Sequence, residues 1–203
     1  MFFDVGETLV DEERLWREVA QAAGVRPHVV WAALGLTIER GEDHWAVWDH
    51  LGVERPSGVW ERQGYSADDV FPDALTCIER LRADGLFVGI AGNQSATMET
   101  WARTTLGANV VTSSDGLGVR KPDLKFFERL VALSGASASE VAYVGDRVDN
   151  DVLPALGAGL VAVHLRRGPW GMLQPTPSGA VRIESLSELP EALAAAGAGA
   201  RPL

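Results

Sequence analysis

From Phe71 onward the chain alternates short apolar runs with stretches of helical spacing, and this rhythm restricts the fold more than any other feature of the sequence. Leu75, Ile78 and Leu81 line one side of a helix predicted over 72–83, with Asp84-Gly85 as its stop. Residues 86–91 read as a buried strand, 96–106 as a helix and 109–112 as a short strand. A helix opened by Pro122 follows over 122–133, then a strand over 141–144, a short helix over 150–156 and a strand over 160–163. Repeated strand–helix units require a parallel sheet with helices on both faces, because each crossover lays a helix back on the sheet. The Pro- and Gly-rich residues 166–179 are predicted to be a loop, and 187–196 a last helix ahead of a frayed small-residue tail.

The chain start supplies one more strand. Met1, Phe2 and Phe3 form an apolar run that ends at Asp4, followed by Val5-Gly6-Glu7-Thr8. A carboxylate there would lie where ligands bind in open α/β sheets, outside the carboxyl ends of the strands. An aspartate that merely caps the next turn is the plainer use of the residue. Between Val10 and Ser66 the strand-like alternation stops, and five of the seven tryptophans fall in this stretch: Trp16, Trp31, Trp45, Trp48 and Trp60. Apolar residues recur at helical spacing in 15–23 and 29–34, with turn signals between, so a bundle of short helices is expected, its tryptophans serving mainly as core.

The net charge of −10 argues against nucleic acid or an anionic membrane as partner, since both call for clustered Lys and Arg. Cys77 is the only cysteine, so no internal disulfide can form. The chain opens without a leader pattern and holds no apolar run of membrane-spanning length, so a cytoplasmic protein is expected.

Four segments meet at the strand ends of such a sheet: Asp4; Gly92-Asn93-Gln94; Arg120-Lys121-Pro122; and Gly145-Asp146 through Asn150-Asp151. Clustered carboxylates repel and need a cation. Mg²⁺ suits them, being hard and bound through carboxylates and phosphate oxygens. Lys121 adds positive charge, so the crevice could hold a phosphoryl group while Asp4 attacks it.

These segments, in this order, resemble the motifs of the haloacid dehalogenase superfamily of phosphohydrolases. The likeness spans nearly the whole chain and is most specific at Val144-Gly145-Asp146 through Asp151. It implies an α/β Rossmann-like core over 1–9 and 71–203, with residues 10–70 as an inserted helical cap. It also implies Asp4 as nucleophile and Mg²⁺ held by Asp4, the Gly6 carbonyl, Asp146 and Asp151. Lys121 would steady nucleophile and phosphate, with Asn93 and Gln94 as further phosphate-binding candidates and Thr8 in a local structural role. The implied substrate is a small phosphorylated molecule.

Two positions depart from the pattern. Gly6 stands where most phosphatases of the family carry a second aspartate as general acid and base, and Gly92 where a Ser or Thr hydroxyl meets the phosphate. Asn93, Ser95 or backbone N–H groups could substitute at the second. Glu7 is expected to point away if its segment is extended. Gly6→Asp, followed by Gly92→Ser, is the change expected to raise turnover. Three readings stay open: a magnesium-dependent phosphatase with unusual proton transfer, a non-catalytic binding protein, and a metal-free dehalogenase-like hydrolase. Asp149 is either a ligand or a turn residue, and Arg120 and Arg147 are read as surface charges.

Overall fold

The computed structural model describes residues 1–59, 62 and 64–197, so Trp60 and the end of the tail lie outside the described residues. Among these, six strands form one parallel sheet: β1 (Phe2–Phe3), β2 (Gly89–Gly92), β3 (Val110–Ser113), β4 (Ala142–Gly145), β5 (Val161–Leu165) and β6 (Val181–Ile183). Their order is β3-β2-β1-β4-β5-β6. The chain winds outward from β1 in one direction and from β4 in the other, so the crevice expected of this topology opens between β1 and β4. Phe2 pairs with both Gly89 and Tyr143, and the Asp4 N–H continues the ladder to the Val144 carbonyl at 2.9 Å.

Strand alternation divides the core. Phe3, Ile90 and Val144 pack on one face with Ile78 and Leu81 of the helix Pro72–Ala83. Phe2, Ala91 and Tyr143 face the other way, onto Phe126, Phe127 and Leu130 of the helix Leu124–Ser134. Each fully buried Phe side chain contributes about 1.5–3 kcal/mol relative to exposure. Together these two layers fix where β1 ends and therefore where Asp4 stands.

The insert forms the helices Glu13–Ala22, Pro27–Glu39 and Ala46–Leu51 around a third cluster that includes Trp16, Leu34 and Trp48. Three expectations need correction. Residues 166–179 are not all loop: Gly168–Leu173 is helical, and its Trp170 is buried in the cluster of the insert. Pro at the second helical position favours that start, and Trp170 gains a nonlocal partner surface that local composition does not reveal. β6 was not foreseen; three residues are too short to give a period. The helix expected from Pro122 begins at Leu124, where Asp123 caps it by accepting the Lys125 N–H at 2.9 Å. The Lys121–Pro122 bond before it is cis.

Candidate active site

Asp4 follows β1 and Asp146 follows β4, so the adjacency of these strands brings the two carboxylates together. Asp151 joins them by a different device. The chain after β4 makes a π-helical turn, Val148–Val152, and Asp151 folds back so that its Oδ2 accepts the Arg147 N–H at 3.0 Å. Ligand oxygens of Asp4, Asp146 and Asp151 lie within 4.8 Å of one another, and all three residues are buried.

Lys121 enters this cluster at 2% exposure. Its Nζ lies 2.7 Å from Asp4 Oδ1 and 2.6 Å from Asp151 Oδ1. Burial opposes its charge, but Asp151 and Asp4 outweigh that and hold the ammonium above its ordinary pKa. Burial, followed by the charges of Asp151 and Asp4, pushes Asp146 well above the usual carboxylate range. Three buried carboxylates facing one buried ammonium leave an excess of negative charge. That all-oxygen donor set fits a hard divalent cation such as Mg²⁺.

Asn93 and Gln94 stand beside the cluster, but their side chains are engaged. Asn93 Oδ1 accepts the Lys121 N–H at 2.8 Å, and its Nδ2 donates to the Lys121 carbonyl at 3.0 Å. This amide clamp fixes the backbone that carries Lys121. Gln94 Nε2 donates to the Tyr65 hydroxyl at 3.2 Å, linking the end of β2 to the insert. Both residues therefore tie structure together, whereas the sequence suggested phosphate contacts.

The two glycines stand against carboxylates. A β-carbon at Gly92 would lie 2.6 Å from Asp4 Oδ1, so the bare backbone of β2 is what lets Asp4 sit against it. A β-carbon at Gly6 would lie 2.2 Å from Glu12 Oε1. The place of the missing side chain is thus filled by the carboxyl group of Glu12. This corrects the expectation that Gly6→Asp and Gly92→Ser simply restore lost groups: each must first displace a carboxylate already present.

Glu12 immediately precedes the helix Glu13–Ala22, and its N–H donates to Glu7 Oε1 at 3.1 Å. Its Oε1 accepts the Tyr65 hydroxyl at 2.5 Å. Burial raises Glu12 to about 7; the Tyr65 bond opposes this and the Asp4 charge adds to it. Glu7 is not in an extended segment as supposed, since its φ is 51°. Burial first, then Glu12, raises it to about 8, and its carboxylate lies against Gly168 and the Glu12 N–H. Sequence reasoning missed Glu12 and Tyr65. Asp11-Glu12-Glu13 reads as ordinary acidic residues at a helix start, and nothing local marks Tyr65.

Asp4, Gly6, Glu12, Lys121 and Asp146 open into a cavity of about 1080 Å³ between the strand ends and the insert. Trp16, Trp45, Trp101 and Trp170 form an aromatic part of its wall, among many charged and polar residues. Arg147 and Arg120 line it too, Arg120 as an exposed charge and Arg147 half-buried. The Arg147 guanidinium lies 4.7 Å from the Trp170 ring and pairs with Asp149 at 2.6 Å. Asp149 thus serves Arg147 and Gln174, not the carboxylate cluster.

A parallel sheet with a carboxylate–lysine cluster at its strand ends defines a hydrolase-type α/β site. A family model described as haloacid dehalogenase-like hydrolase matches residues 1–159, and the chain belongs to that family. The glyceraldehyde 3-phosphate phosphatase of Methanocaldococcus jannaschii is 32% identical over 124 residues, covering 59% of this chain and 54% of that protein. The chain spans about half the length of the curated relatives it matches. A HAD phosphatase from Thermococcus onnurineus superimposes with a TM-score of 0.64 at 20% identity, over 100% of this chain and 98% of the other. A 2-haloacid dehalogenase from Pseudomonas syringae gives 0.60 at 21%, over 96% and 97%. The fold is therefore shared by phosphatases and dehalogenases and does not choose between them.

Proposed function

We propose that this chain hydrolyses a small phosphate monoester through an aspartyl-phosphate on Asp4, with Mg²⁺ held by Asp4, Asp146, Asp151 and the Gly6 carbonyl. The observation that carries the reading is the Asp4–Lys121–Asp151 cluster beside Asp146, opening into the cavity under the insert. A group of buried carboxylates around one lysine calls for a cation and an anionic ligand, which favours a phosphoryl group over metal-free attack on carbon. Bound Mg²⁺ would neutralise charge on the phosphoryl oxygens. Asp4 attacks phosphorus in line with the leaving oxygen, and Lys121 holds the attacking carboxylate while offering its charge to the phosphoryl group. Asn93 keeps Lys121 in place.

Residues 10–70 act as the cap over a core of 1–9 and 71–203, and the aromatic wall takes the organic part of the ester. The phosphatase names of the relatives support the same substrate class. No described helix is long and apolar enough to cross a membrane, and the lone cysteine, Cys77, is buried and free; a cytoplasmic setting suits both.

The test is a screen of phosphate esters and 2-haloacids with Mg²⁺, followed by Asp4→Asn. Phosphate release that Asp4→Asn abolishes, with a phosphorylated aspartate trapped by acid quench and seen by mass spectrometry, is the expected result. Halide release without phosphate release would move the protein to the dehalogenase reading. Silence in both screens would mean a binding protein.

A further inference from the structure

Gly6 removes the side chain on which phosphoryl transfer by this kind of site would rely for moving protons. An alkyl leaving group departs poorly as an alkoxide, and water attacks an acyl phosphate poorly without a base. The structure nevertheless places a carboxyl group at that point in space. The Glu12 carboxyl lies where a residue-6 side chain would begin, with Oε1, Cδ and Oε2 at 2.2, 2.6 and 3.2 Å from the β-carbon position. Both its carboxyl group and its backbone are held there. The Tyr65 hydroxyl donates to Oε1 at 2.5 Å, Gln94 Nε2 backs Tyr65 at 3.2 Å, and Glu7 fixes the Glu12 backbone N–H at 3.1 Å. Glu12 lines the same cavity as Asp4. Glu7 also borders the cavity, but its carboxylate is taken up by the Glu12 N–H and packed against Gly168.

We propose that Glu12 is the general acid and base of this enzyme, a carboxyl group supplied from the start of the first cap helix in place of a side chain at position 6. The proposal rests on the phosphatase reading above. In the first step an Asp4 oxygen forms a bond to phosphorus and the bond from phosphorus to the ester oxygen breaks. The Glu12 carboxylic acid gives its proton to that oxygen, so the alcohol leaves neutral. In the second step the Glu12 carboxylate takes a proton from a water molecule whose oxygen attacks phosphorus. The bond from phosphorus to Asp4 breaks, inorganic phosphate leaves, and both carboxyl groups return to their starting states. Tyr65 is the positioning residue. Its hydroxyl bonds one oxygen of Glu12 throughout and holds the carboxyl group at the place of a residue-6 side chain.

Glu12→Gln tests this, because the amide keeps the size of the side chain and an acceptor for Tyr65. Turnover of an alkyl phosphate should fall about 10²–10⁴-fold, the usual contribution of a positioned acid or base. With p-nitrophenyl phosphate, whose leaving group needs little protonation, the variant should release one equivalent of nitrophenol in a burst and then accumulate phosphorylated Asp4. The double variant Gly6→Asp/Glu12→Ala should recover turnover to within about tenfold of the parent, while Glu12→Ala alone stays low. A carboxyl group moved to position 6 can rescue only a chemical role, so recovery separates catalysis from packing. A folded Glu12→Gln with parental alkyl phosphate turnover and no burst overturns the assignment of Glu12 and leaves Asp4 standing. A parent that forms no phosphorylated Asp4 from either ester overturns the phosphatase reading, and the assignment of Glu12 with it.

Discussion

Replacing Lys121 by Met should expose how the active-site charges are balanced. The residue is 2% exposed and its ammonium contacts two carboxylates at 2.7 and 2.6 Å, with Asp146 buried nearby. Met keeps most of the volume, so the cavity term is small and the change is mainly electrostatic. Removing one partner of a buried ion pair leaves the other charge uncompensated and costs about 3–5 kcal/mol. For a domain of this length, about 1 kcal/mol moves the thermal midpoint by roughly 2–4 °C, so a fall of about 6–20 °C is expected. The assay is thermal unfolding by circular dichroism in metal-free buffer at pH 7.5. The double variant Lys121→Met/Asp151→Asn should regain part of the loss, because one of the stranded charges is then gone; the coupling can be read as a double-mutant cycle. A midpoint within about 2 °C of the parent would refute the claim that Lys121 is the main neutralising charge of the cluster.

Two further outcomes follow from the same site. In metal-free buffer the protein should lose stability as the pH rises from about 6.5 to 8. Glu12 and Glu7 are raised to about 7 and 8, and Asp146 is raised as well. The folded state therefore holds protons that the unfolded chain has already released, and each such proton costs about 1.4 kcal/mol per pH unit. The Met1 amino group, lowered by burial to about 6, works in the opposite direction over this range, while His44 and His164, also lowered by burial, do so mainly below about pH 6.5. Millimolar Mg²⁺ should flatten this loss by stabilising the ionised carboxylates, measured as thermal midpoints across the pH series; a midpoint that rises over this range without metal would contradict the assignment. Gly92→Ser should lower phosphatase turnover tenfold or more, by about 1.4 kcal/mol of barrier, because the new β-carbon falls 2.6 Å from Asp4 Oδ1; a gain in turnover measured on p-nitrophenyl phosphate would show that Asp4 moves aside without penalty.

The sequence by itself determined five of the six described strands and the principal charges at their ends. Alternation places Phe2 and Phe3 on opposite faces, and the apolar runs at β2, β4 and β5 are visible because buried parallel strands are written locally as continuous apolar segments. Asp4, Lys121, Asp146 and Asp151 were legible for a related reason: strand ends in such a sheet converge wherever the strands are. Only the tertiary structure decided what happens across the insert. Trp170 lies in a stretch whose composition reads as loop, because its burial depends on helices more than a hundred residues earlier in the chain. Asn93 and Gln94 have the right position for phosphate contacts, but their amides are committed to Lys121 and Tyr65, partners that local sequence does not specify. Gly6 shows the limit most plainly. In the sequence it is an absence, and the carboxyl group that fills the place belongs to Glu12, six residues on and held there by Tyr65. A side chain's identity is local, but the direction in which a long flexible carboxylate points is set by whatever donor the fold brings within reach.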